Sequence, residues 1–316
     1  MRRVNKLICC LFVFLTLPWS TLPAQFDSSY VETFETRTRI NGGLRYRDNS
    51  ASFSVDGAQS LSLKNRGLAV RLGGRYKWLG YTFSIPVSDL GTDSNLGNAR
   101  SLGGNLQIYR DKFYLSLNGR RTVGFVRESP GDPDYFRKDI KFLDVLMYGF
   151  RILNSKHFSL GSAFKQRSRQ LKRAGSLLLA GMANRQVLTA NQLTLPLAGG
   201  DEIVIDRYSQ IKLGVGLGYA YTFLFKKNYF VTPLAVVGPE IRIVDYDPAA
   251  AERVLDAPKL SVRLRSRLAF GYNGRSNYVA VTASYLPSYD ATESLDTRVD
   301  ETRVELIVGH RFNVER

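Results

Sequence analysis

The chain has 316 residues, with 44 lysines and arginines against 28 aspartates and glutamates, which gives a formal net charge of +16. This charge favours anionic surroundings such as lipid head groups, lipopolysaccharide phosphates or small anionic solutes. The two cysteines, Cys9 and Cys10, lie in an amino-terminal segment that we expect to be removed, so disulfide and thiol chemistry are excluded for the mature chain.

Residues 1–25 have the pattern of a secretory signal peptide. Basic residues precede an apolar run at 7–17, and a small-residue segment follows at 22–25. The run is too short to span a membrane as a helix, which needs about 20 residues. We therefore predict a signal peptide at 1–25 and a single exported domain at 26–316, for which nucleic acid is not an expected partner.

Residues 211–225 alternate between large apolar side chains and small or polar ones. Every odd position from Ile211 to Phe225 is apolar or aromatic, whereas the even positions from Lys212 to Thr222 are small or polar. Successive side chains of a strand point to opposite faces, so this period predicts a strand with one apolar face. The face is longer than the roughly 9–11 residues with which a tilted strand crosses a bilayer. A strand of a soluble sandwich has the same period, so the rest of the chain must decide.

The alternation recurs along the whole mature chain. In the fifth predicted strand Arg121 breaks the pattern, which we interpret as a β-bulge that shifts the phase by one residue. Residues 50–63 could add a hairpin, so fourteen strands are an alternative to twelve. The twelve predicted strands lie at 34–46, 66–77, 79–85, 102–108, 113–125, 141–153, 156–170, 210–225, 229–243, 260–272, 276–287 and 302–312.

Short and long connections alternate between these strands. An outer-membrane barrel has short periplasmic turns and long outer loops, whereas a soluble sandwich has no reason to alternate them. Aromatic residues cluster beside the short connections, as expected for rings at a membrane interface. The sequence thus predicts an all-β fold, a transmembrane antiparallel up-and-down β-barrel in the outer membrane of a Gram-negative bacterium. The short connections lie at 78–79, 110–112, 154–155, 226–228 and 273–275, and the long ones at 47–65, 87–100, 126–140, 171–208, 244–258 and 288–301.

Three segments carry a family resemblance. Residues 158–181, with the run FSLGSAFKQRSRQLKRAGSLLLAG, and residues 214–230 resemble a family of Bacteroidetes-type outer-membrane β-barrels catalogued only as a domain of unknown function. The upstream segment at 76–86 fits the same family. The resemblance implies an outer-membrane location, and it brings no known activity, substrate or site residue.

The strand faces opposite the apolar ones are basic. Because an arginine facing lipid costs about 2–4 kcal/mol near the midplane, we expect these side chains to point into the lumen. They would form a channel or binding barrel for small anionic solutes. Alternatively, the barrel is plugged, and they pair with outer-loop acids such as Asp132, Asp134, Asp139, Asp201 or Glu202. The predicted lumen cluster is Arg71, Arg75, Lys77, Arg120, Lys212, Arg263, Arg265, Arg267 and Arg303, with Lys165 and Arg311 on the same face and Glu305 as its clearest acid.

The predicted outer loop at 171–208 follows a basic run and contains an apolar stretch. It is interpreted as a hairpin standing above the membrane, a loop folded into the barrel, or a surface for a protein partner. The last interpretation supports an alternative function as a plugged structural barrel that serves a surface assembly. The basic run could also contact lipopolysaccharide phosphates. The candidate residues here are Gln166, Arg169, Gln170, Lys172, Arg173, Gly175 and Ser176.

Signals for an enzyme are weak. The two histidines, His157 and His310, lie near predicted strand ends and are interpreted as interfacial residues. No zinc motif and no cysteine–histidine cluster occurs, so neither a metal nor a cofactor is expected. A lipase that pairs Ser159 with His157 is a distant third hypothesis, because no orienting group can be named. We expect the chain not to be an enzyme.

Overall fold

Twelve antiparallel strands form a closed barrel, which confirms the predicted fold class and strand number. The structure, a computed structural model, describes residues 26–34, 38–54, 61–76, 79–88, 100–128, 135–196, 202–248, 254–255, 258–290 and 296–312. All described strands except the short β1, β8 and β12 belong to the barrel. In chain order the elements are β1 (Val31–Thr33), β2 (Thr38–Ser54), β3 (Leu61–Tyr76), β4 (Leu79–Ser88), β5 (Arg100–Tyr109), β6 (Phe113–Glu128), β7 (Tyr135–Ile152), α1 (Leu160–Lys165), β8 (Ser168–Gln170), β9 (Ala174–Pro196), β10 (Glu202–Phe225), β11 (Tyr229–Pro248), β12 (Val254–Leu255), β13 (Lys259–Asn273), β14 (Asn277–Asp290) and β15 (Asp296–Arg311).

The ring closes by pairing between its first and last strands. β15 pairs with β2 along its whole length, from Asp296 opposite Ser54 to Arg311 opposite Arg39. Closure of this kind gives both edge strands a hydrogen-bonded partner, so their backbone N–H and C=O groups are not left unpaired in an apolar solvent. The described parts of residues 50–63, considered above as an extra hairpin, are the ends of β2 and β3.

The strand β10 shows why the sequence folds this way. Its odd positions face outward, where Val215, Leu217 and Tyr219 have exposed fractions of 59%, 62% and 51%. Its even positions face inward, where Ala220 and Thr222 are buried. The other strands divide in the same way, so the outside of the barrel is apolar and the inside holds the polar and charged side chains, as in a membrane barrel.

The seventh predicted strand is wrong. Residues 156–170 form a turn, the helix α1 and the short strand β8. The Ser159 side chain accepts a hydrogen bond from the Ser162 backbone N–H as a helix N-cap, and Gln166 ends the helix in the left-handed region at φ 49°. Local capping therefore overrides the alternation on which the prediction rested.

The connection between the sixth and seventh barrel strands is long, covering residues 153–173 instead of the predicted short turn at 154–155. The bounds of the predicted outer loop at 171–208 are also wrong, because most of it belongs to β9 and β10. These strands pair as a hairpin, which is the first of the three interpretations given for this stretch. The number twelve is still right, since β9 replaces the misassigned strand. β9 and β10 have 23 and 24 residues, about twice the length that crosses a bilayer, so their hairpin extends beyond the membrane.

The predicted β-bulge occurs three residues after Arg121. The pairing of β6 with β7 shifts register between Val123 and Phe125, around Gly124 with φ +88°. Arg121 stays in phase with the outward Leu117 and is exposed. After the bulge Phe125 points inward and is buried.

The end of the barrel with the short turns is filled by a plug, which we define as residues 26–34 together with 153–173. Within it β1 pairs with β8, with Val31 opposite Gln170. The plug side chains Phe158 and Phe164 are buried in an apolar cluster with Phe150 of the barrel wall. The plug therefore packs against the inner face of the barrel.

The opposite end holds a second apolar cluster, in which Leu63, Ile140 and Leu193 are fully buried. Here β3 pairs directly with β6, with Lys64 opposite Val126, beyond the ends of β4 and β5. The sheet therefore bypasses these two strands at this end of the barrel. The lumen thus lies between the plug and an apolar constriction.

Candidate functional site

The barrel wall holds the plug through arginines that reach backbone carbonyl oxygens. Arg311 Nε donates to Gln166 O at 3.2 Å, and Arg311 Nη1 donates to Gly274 O at 2.6 Å. Arg39 Nη1 donates to Lys165 O. Lys165 and Gln166 lie at the carboxyl end of α1, where a helix leaves its last carbonyls without intrahelical partners. The first and last barrel strands therefore supply these acceptors with donors.

Two further contacts fix the plug to the short turns. Asn273 Nδ2 donates to Ser168 O at 2.8 Å. Arg169 of β8 pairs with Glu32 of β1 and donates to Asn228 Oδ1 at 2.6 Å. The amino-terminal strand, β8 and two turns of the barrel are thus joined by buried polar contacts.

Glu305 forms one acidic centre in the lumen, next to the plug. Arg45 Nε lies 2.7 Å from Glu305 Oε1, and Arg71 Nε lies 3.8 Å from Glu305 Oε2. Desolvation inside the barrel lowers the pKa of the plug residue Lys165 well below its usual range, and Arg71 acts in the same direction, whereas Glu305 opposes the shift. Because buried charges are stable only when they are paired, Glu305 stabilises the cations in this part of the lumen.

Glu301 and Asp144 form a second acidic centre further from the plug. Arg120 Nη2 lies 3.4 Å from both Glu301 Oε2 and Asp144 Oδ2. Arg303 pairs with Glu301, and Arg47 Nε lies 3.8 Å from Glu301 Oε1. The side chains of this network come from β2, β6, β7 and β15, and they meet inside the lumen.

Glu240 of β11 is a third acidic centre. Arg263 Nη1 lies 3.0 Å from Glu240 Oε2, and Lys212 Nζ lies 4.0 Å from Glu240 Oε1. All the carboxylates of these centres belong to the barrel wall, and of the outer-loop acids predicted as partners the described side chains include only Asp139. Asp139 pairs with its neighbour Arg137 at 2.7 Å, while Asp132, Asp134, Asp201 and the side chain of Glu202 lie outside the described residues.

A cavity of about 60 Å³ lies among these groups. It exceeds the roughly 10–15 Å³ that one water needs, so it has room for a group of a few heavy atoms. Cations outnumber carboxylates around it. The basic residues of its lining are Arg45, Arg47, Arg120, Lys165, Arg265, Arg267 and Arg303, and the acidic ones are Asp144 and Glu305.

Arg265 and Arg267 have aromatic partners. The guanidinium carbon of Arg265 lies 3.6 Å from the centroid of the Tyr148 ring, and that of Arg267 lies 4.2 Å from the centroid of the Phe164 ring. Within the described chain no carboxylate pairs with either arginine, and the buried Nε of Arg265 has no hydrogen-bond partner. A buried donor without an acceptor is costly, so this arrangement suits an oxyanion.

The structure divides the predicted lumen cluster among three places. Lys77 lies outside the described residues. The other members all line internal cavities: Arg71 and Arg75 beside the plug, Arg120, Lys212 and Arg263 toward the apolar constriction, and Arg265, Arg267 and Arg303 at the central cavity. Their role as a binding site stays a prediction.

Sequence reasoning missed several inward arginines, chiefly Arg39, Arg45 and Arg47 of β2. The signal was present, because the basic odd positions alternate with apolar side chains such as Ile40 and Leu44. Two glycines and a polar stretch interrupt the alternation, so β2 looked like a weak strand. Arg242 of β11, which is also buried, was missed because prolines interrupt its strand pattern.

The candidate segment that begins at Gln166 lies at the short-turn end of the barrel. A barrel of this type places short turns in the periplasm, opposite to the leaflet that contains lipopolysaccharide. The predicted contact of this basic run with lipopolysaccharide phosphates is therefore not supported by its position. Gln166, Arg169 and Gln170 are buried in the plug, Lys172 and Arg173 are exposed beside it, and Gly175 and Ser176 begin β9.

The serine–histidine pair of the lipase hypothesis does not form. His157 Nδ1 lies 3.1 Å from Asn154 Oδ1, and its Nε2 lies 3.6 Å from Asp27 Oδ2. Ser159 Oγ is instead 2.7 Å from Ser168 Oγ. In the part of the chain that the structure describes, no cluster of three histidine, cysteine or acidic side chains could hold a metal ion. No helix among the described residues is long and apolar enough to span a membrane.

The family model described as Domain of unknown function (DUF4421) matches residues 25–312. The chain belongs to this family. The family membership agrees with the resemblance found in the sequence, and the description of the family assigns no activity. A comparison with curated proteins found no match.

Several solved outer-membrane proteins are similar to this chain. The outer membrane protease OmpT from Escherichia coli has a TM-score of 0.45 at 9% identity, covering 90% of this chain and 100% of that one. The translocator domain of the autotransporter NalP from Neisseria meningitidis has a TM-score of 0.44 at 12% identity, covering 88% and 89%. A mutant of the monoaromatic hydrocarbon channel TodX from P. putida has a TM-score of 0.32 at 8% identity, covering 88% and 91%. At these scores the likenesses carry no argument about activity.

The expectation that the chain is not an enzyme needs correction, because it treated the barrel fold and the missing motifs as evidence against catalysis. A protease is among the solved barrels that are similar to the chain, so a barrel architecture does not exclude catalysis. The expectation rested on missing motifs, and motifs of soluble enzymes are a poor guide to sites that are assembled on barrel strands.

Proposed function

We propose that the protein is an outer-membrane barrel that binds a small oxyanion, a carboxylate or a phosphate, in the central cavity of its charged lumen. The apolar exterior and the short turns at one end support the membrane placement. The observation that carries the proposal is the position of Arg265 and Arg267 beside the cavity, with aromatic but no acidic partners in the described chain. A Bacteroidetes-type source, as the sequence resemblance implies, is part of the same proposal.

Capture fits the lumen better than free passage. The plug occupies one end, and the apolar cluster around Leu63 and Leu193 occupies the other. The described lumen contains cavities of about 20, 50 and 60 Å³. A solute that binds at the centre is therefore held between two closures, and its passage requires movement of one of them.

Thermal unfolding of the refolded protein with inorganic phosphate or succinate tests this function, with chloride at equal ionic strength as the reference. A ligand at 100 times its Kd stabilises by about 2.7 kcal/mol, so the wild-type Tm should rise. The double variant Arg265→Gln/Arg267→Gln should lose most of this rise. The control variant Arg298→Gln removes an exposed arginine that pairs with Asp300. It should show the same rise in Tm as the wild type. Equal shifts in wild type and double variant, or no shift in either, would reject the proposal.

A plugged interaction barrel is the second candidate. The long hairpin of β9 and β10, which extends beyond the membrane, favours it. In this case anions leave the Tm unchanged, and shortening the far end of the hairpin abolishes co-purification of a surface partner while the barrel still folds.

A further inference from the structure

Four basic side chains face outward on the neighbouring strands β6, β7, β9 and β10, on the half of the barrel away from the short turns. Arg121, Lys141, Arg185 and Arg207 are all exposed. Among the described residues, none of the four takes part in an ion pair. We call them the outer basic cluster. It lies outside the lumen and is independent of the proposed solute site.

The strand register brings these side chains together. Arg121 lies opposite Leu143, two residues from Lys141. Lys141 lies opposite Thr189, which in turn lies opposite Arg207. Adjacent strands are about 4.8 Å apart and diagonal neighbours about 7–8 Å apart. Arg207 is thus about 10 Å from Lys141, two strand spacings away. Arg185, opposite Val145, lies about 13 Å along β9 from Thr189. The four long side chains frame one patch, which a ligand with more than one phosphate can span.

The cluster marks one edge of the apolar band. On β7 the outward residues Arg151 and Lys141 bracket residues 142–150. Arg173, just before β9, and Arg185 on β9 are also exposed and bracket a similar interval. Both intervals match the roughly 9–11 residues of tilted strand that cross a bilayer. Because Arg151 and Arg173 lie at the short-turn end, Lys141 and Arg185 lie at the opposite interface.

We propose that the outer basic cluster binds the phosphate groups of a lipopolysaccharide molecule in the outer leaflet. Guanidinium groups match phosphate oxygens in geometry and charge. The outward apolar side chains Leu143, Val145 and Val187 lie between the basic residues, where they would contact acyl chains. Asp206, beside Arg207, accepts a hydrogen bond from the Gln192 backbone N–H at 3.0 Å. The four basic side chains outweigh this neighbouring carboxylate, so the surface of the cluster keeps a positive net charge.

The position selects lipopolysaccharide over other anionic partners. The cluster lies at the interface opposite to the short turns, which is the outer leaflet when the short turns are periplasmic. Its side chains project from the strand face that contacts lipid, so a soluble anion or a protein in the periplasm does not reach them. A glycolipid with phosphates at the interface and acyl chains below matches both the charges and the apolar side chains.

Binding of purified lipid A to the refolded protein in a zwitterionic detergent tests the proposal. The variant with Arg121→Gln, Lys141→Gln, Arg185→Gln and Arg207→Gln should bind roughly tenfold or more weakly than wild type. The matched control removes four exposed charges at the short-turn end, through Arg110→Gln, Arg151→Gln, Lys226→Gln and Lys227→Gln, and should bind as wild type does. Native mass spectrometry of the complex gives the affinities.

Two further measurements serve as controls, one with a variant that keeps the charge and one with a ligand that lacks phosphates. A variant with Arg121→Lys, Arg185→Lys and Arg207→Lys keeps the charge and should retain most of the binding, so a loss that comes from misfolding is recognised. Dephosphorylated lipid A should bind wild type and the glutamine variant equally weakly. The proposal is wrong if the glutamine variant binds lipid A as wild type does, if the control variant loses binding equally, or if removing the phosphates changes nothing.

Discussion

The Arg311 guanidinium donates to the Gln166 carbonyl oxygen across 3.2 Å from Nε, and so the last strand of the barrel is joined to the residue that ends the plug helix. The same guanidinium donates to the carbonyls of Gly274 and Arg275 and lies 4.0 Å from the centroid of the Phe34 ring. One buried side chain thus contacts both parts of the plug and a turn of the wall.

Replacement of this side chain should loosen the plug. Arg311→Met leaves several buried carbonyls without their donors, so we expect the free energy of unfolding to fall by roughly 2–4 kcal/mol. Hydrogen exchange should become faster in residues 153–173 and stay unchanged in the middle of β6. Arg298→Met, at an exposed arginine, is the control and should change stability by less than about 0.5 kcal/mol. Unchanged exchange in the plug would show that Arg311 does not hold it.

The lumen network around Glu305 should respond to the loss of its acid. In Glu305→Gln the buried Arg45 and Arg71 lose their carboxylate, and we expect a destabilisation of roughly 3–5 kcal/mol. The double variant Arg45→Met/Glu305→Gln should recover part of the loss summed over Glu305→Gln and the single variant Arg45→Met, because one unpaired charge is removed with the acid. Urea unfolding measures both. Strictly additive effects would mean that the two residues do not interact.

The register shift between β6 and β7 should depend on Gly124. Gly124 has φ +88°, and a Cβ there would meet the Phe136 ring. We expect Gly124→Ala to destabilise by roughly 1–2 kcal/mol. A Cβ at Gly119 of the same strand would have no neighbouring atom within 4 Å, so Gly119→Ala should be neutral or slightly stabilising. Equal effects in thermal unfolding would contradict the proposed strain at Gly124.

The short turn after β10 offers a stabilising change. Lys226 is exposed and has φ 54°, a conformation that glycine adopts more easily than lysine. Lys226→Gly should therefore raise the free energy of unfolding by roughly 0.5 kcal/mol. Lys227→Gly, at a neighbour outside the left-handed region, should lower it. If both changes destabilise equally in urea unfolding, the backbone argument fails.

The barrel itself was predictable because each membrane strand shows its two faces in the alternation of side chains, most clearly from Ile211 to Phe225. The plug was not. Its apolar residues Phe158 and Phe164 resemble the outward side chains of a strand until the wall that buries them is known. The contacts that hold it, such as that of Arg311 with Gln166, join parts of the chain that are far apart in sequence.

The same limit applies to the lumen. Alternation identified the inward arginines of β13, but not that Arg263 meets Glu240 while Arg265 and Arg267 lie against aromatic rings. Arg120 reaches Glu301 from a strand that is not its neighbour in the sheet. Arg121 was misinterpreted for a related reason. It is an outward arginine at the edge of the apolar band, and because this edge was not visible in the sequence, the break in the alternation was interpreted as a β-bulge.

The strands β4 and β5 belong to the wall only near the short turns, because β3 pairs directly with β6 at the opposite end of the barrel. The hairpin of β4 and β5 widens the ring at the level of the turns, and it ends before the rim where Lys64 lies opposite Val126. Because the width of a barrel follows its number of strands, loss of this hairpin would narrow the barrel near the short turns, while the contact of β3 with β6 at the opposite end would remain. The width of the barrel near the short turns and its closure at the opposite end therefore depend on different strand contacts.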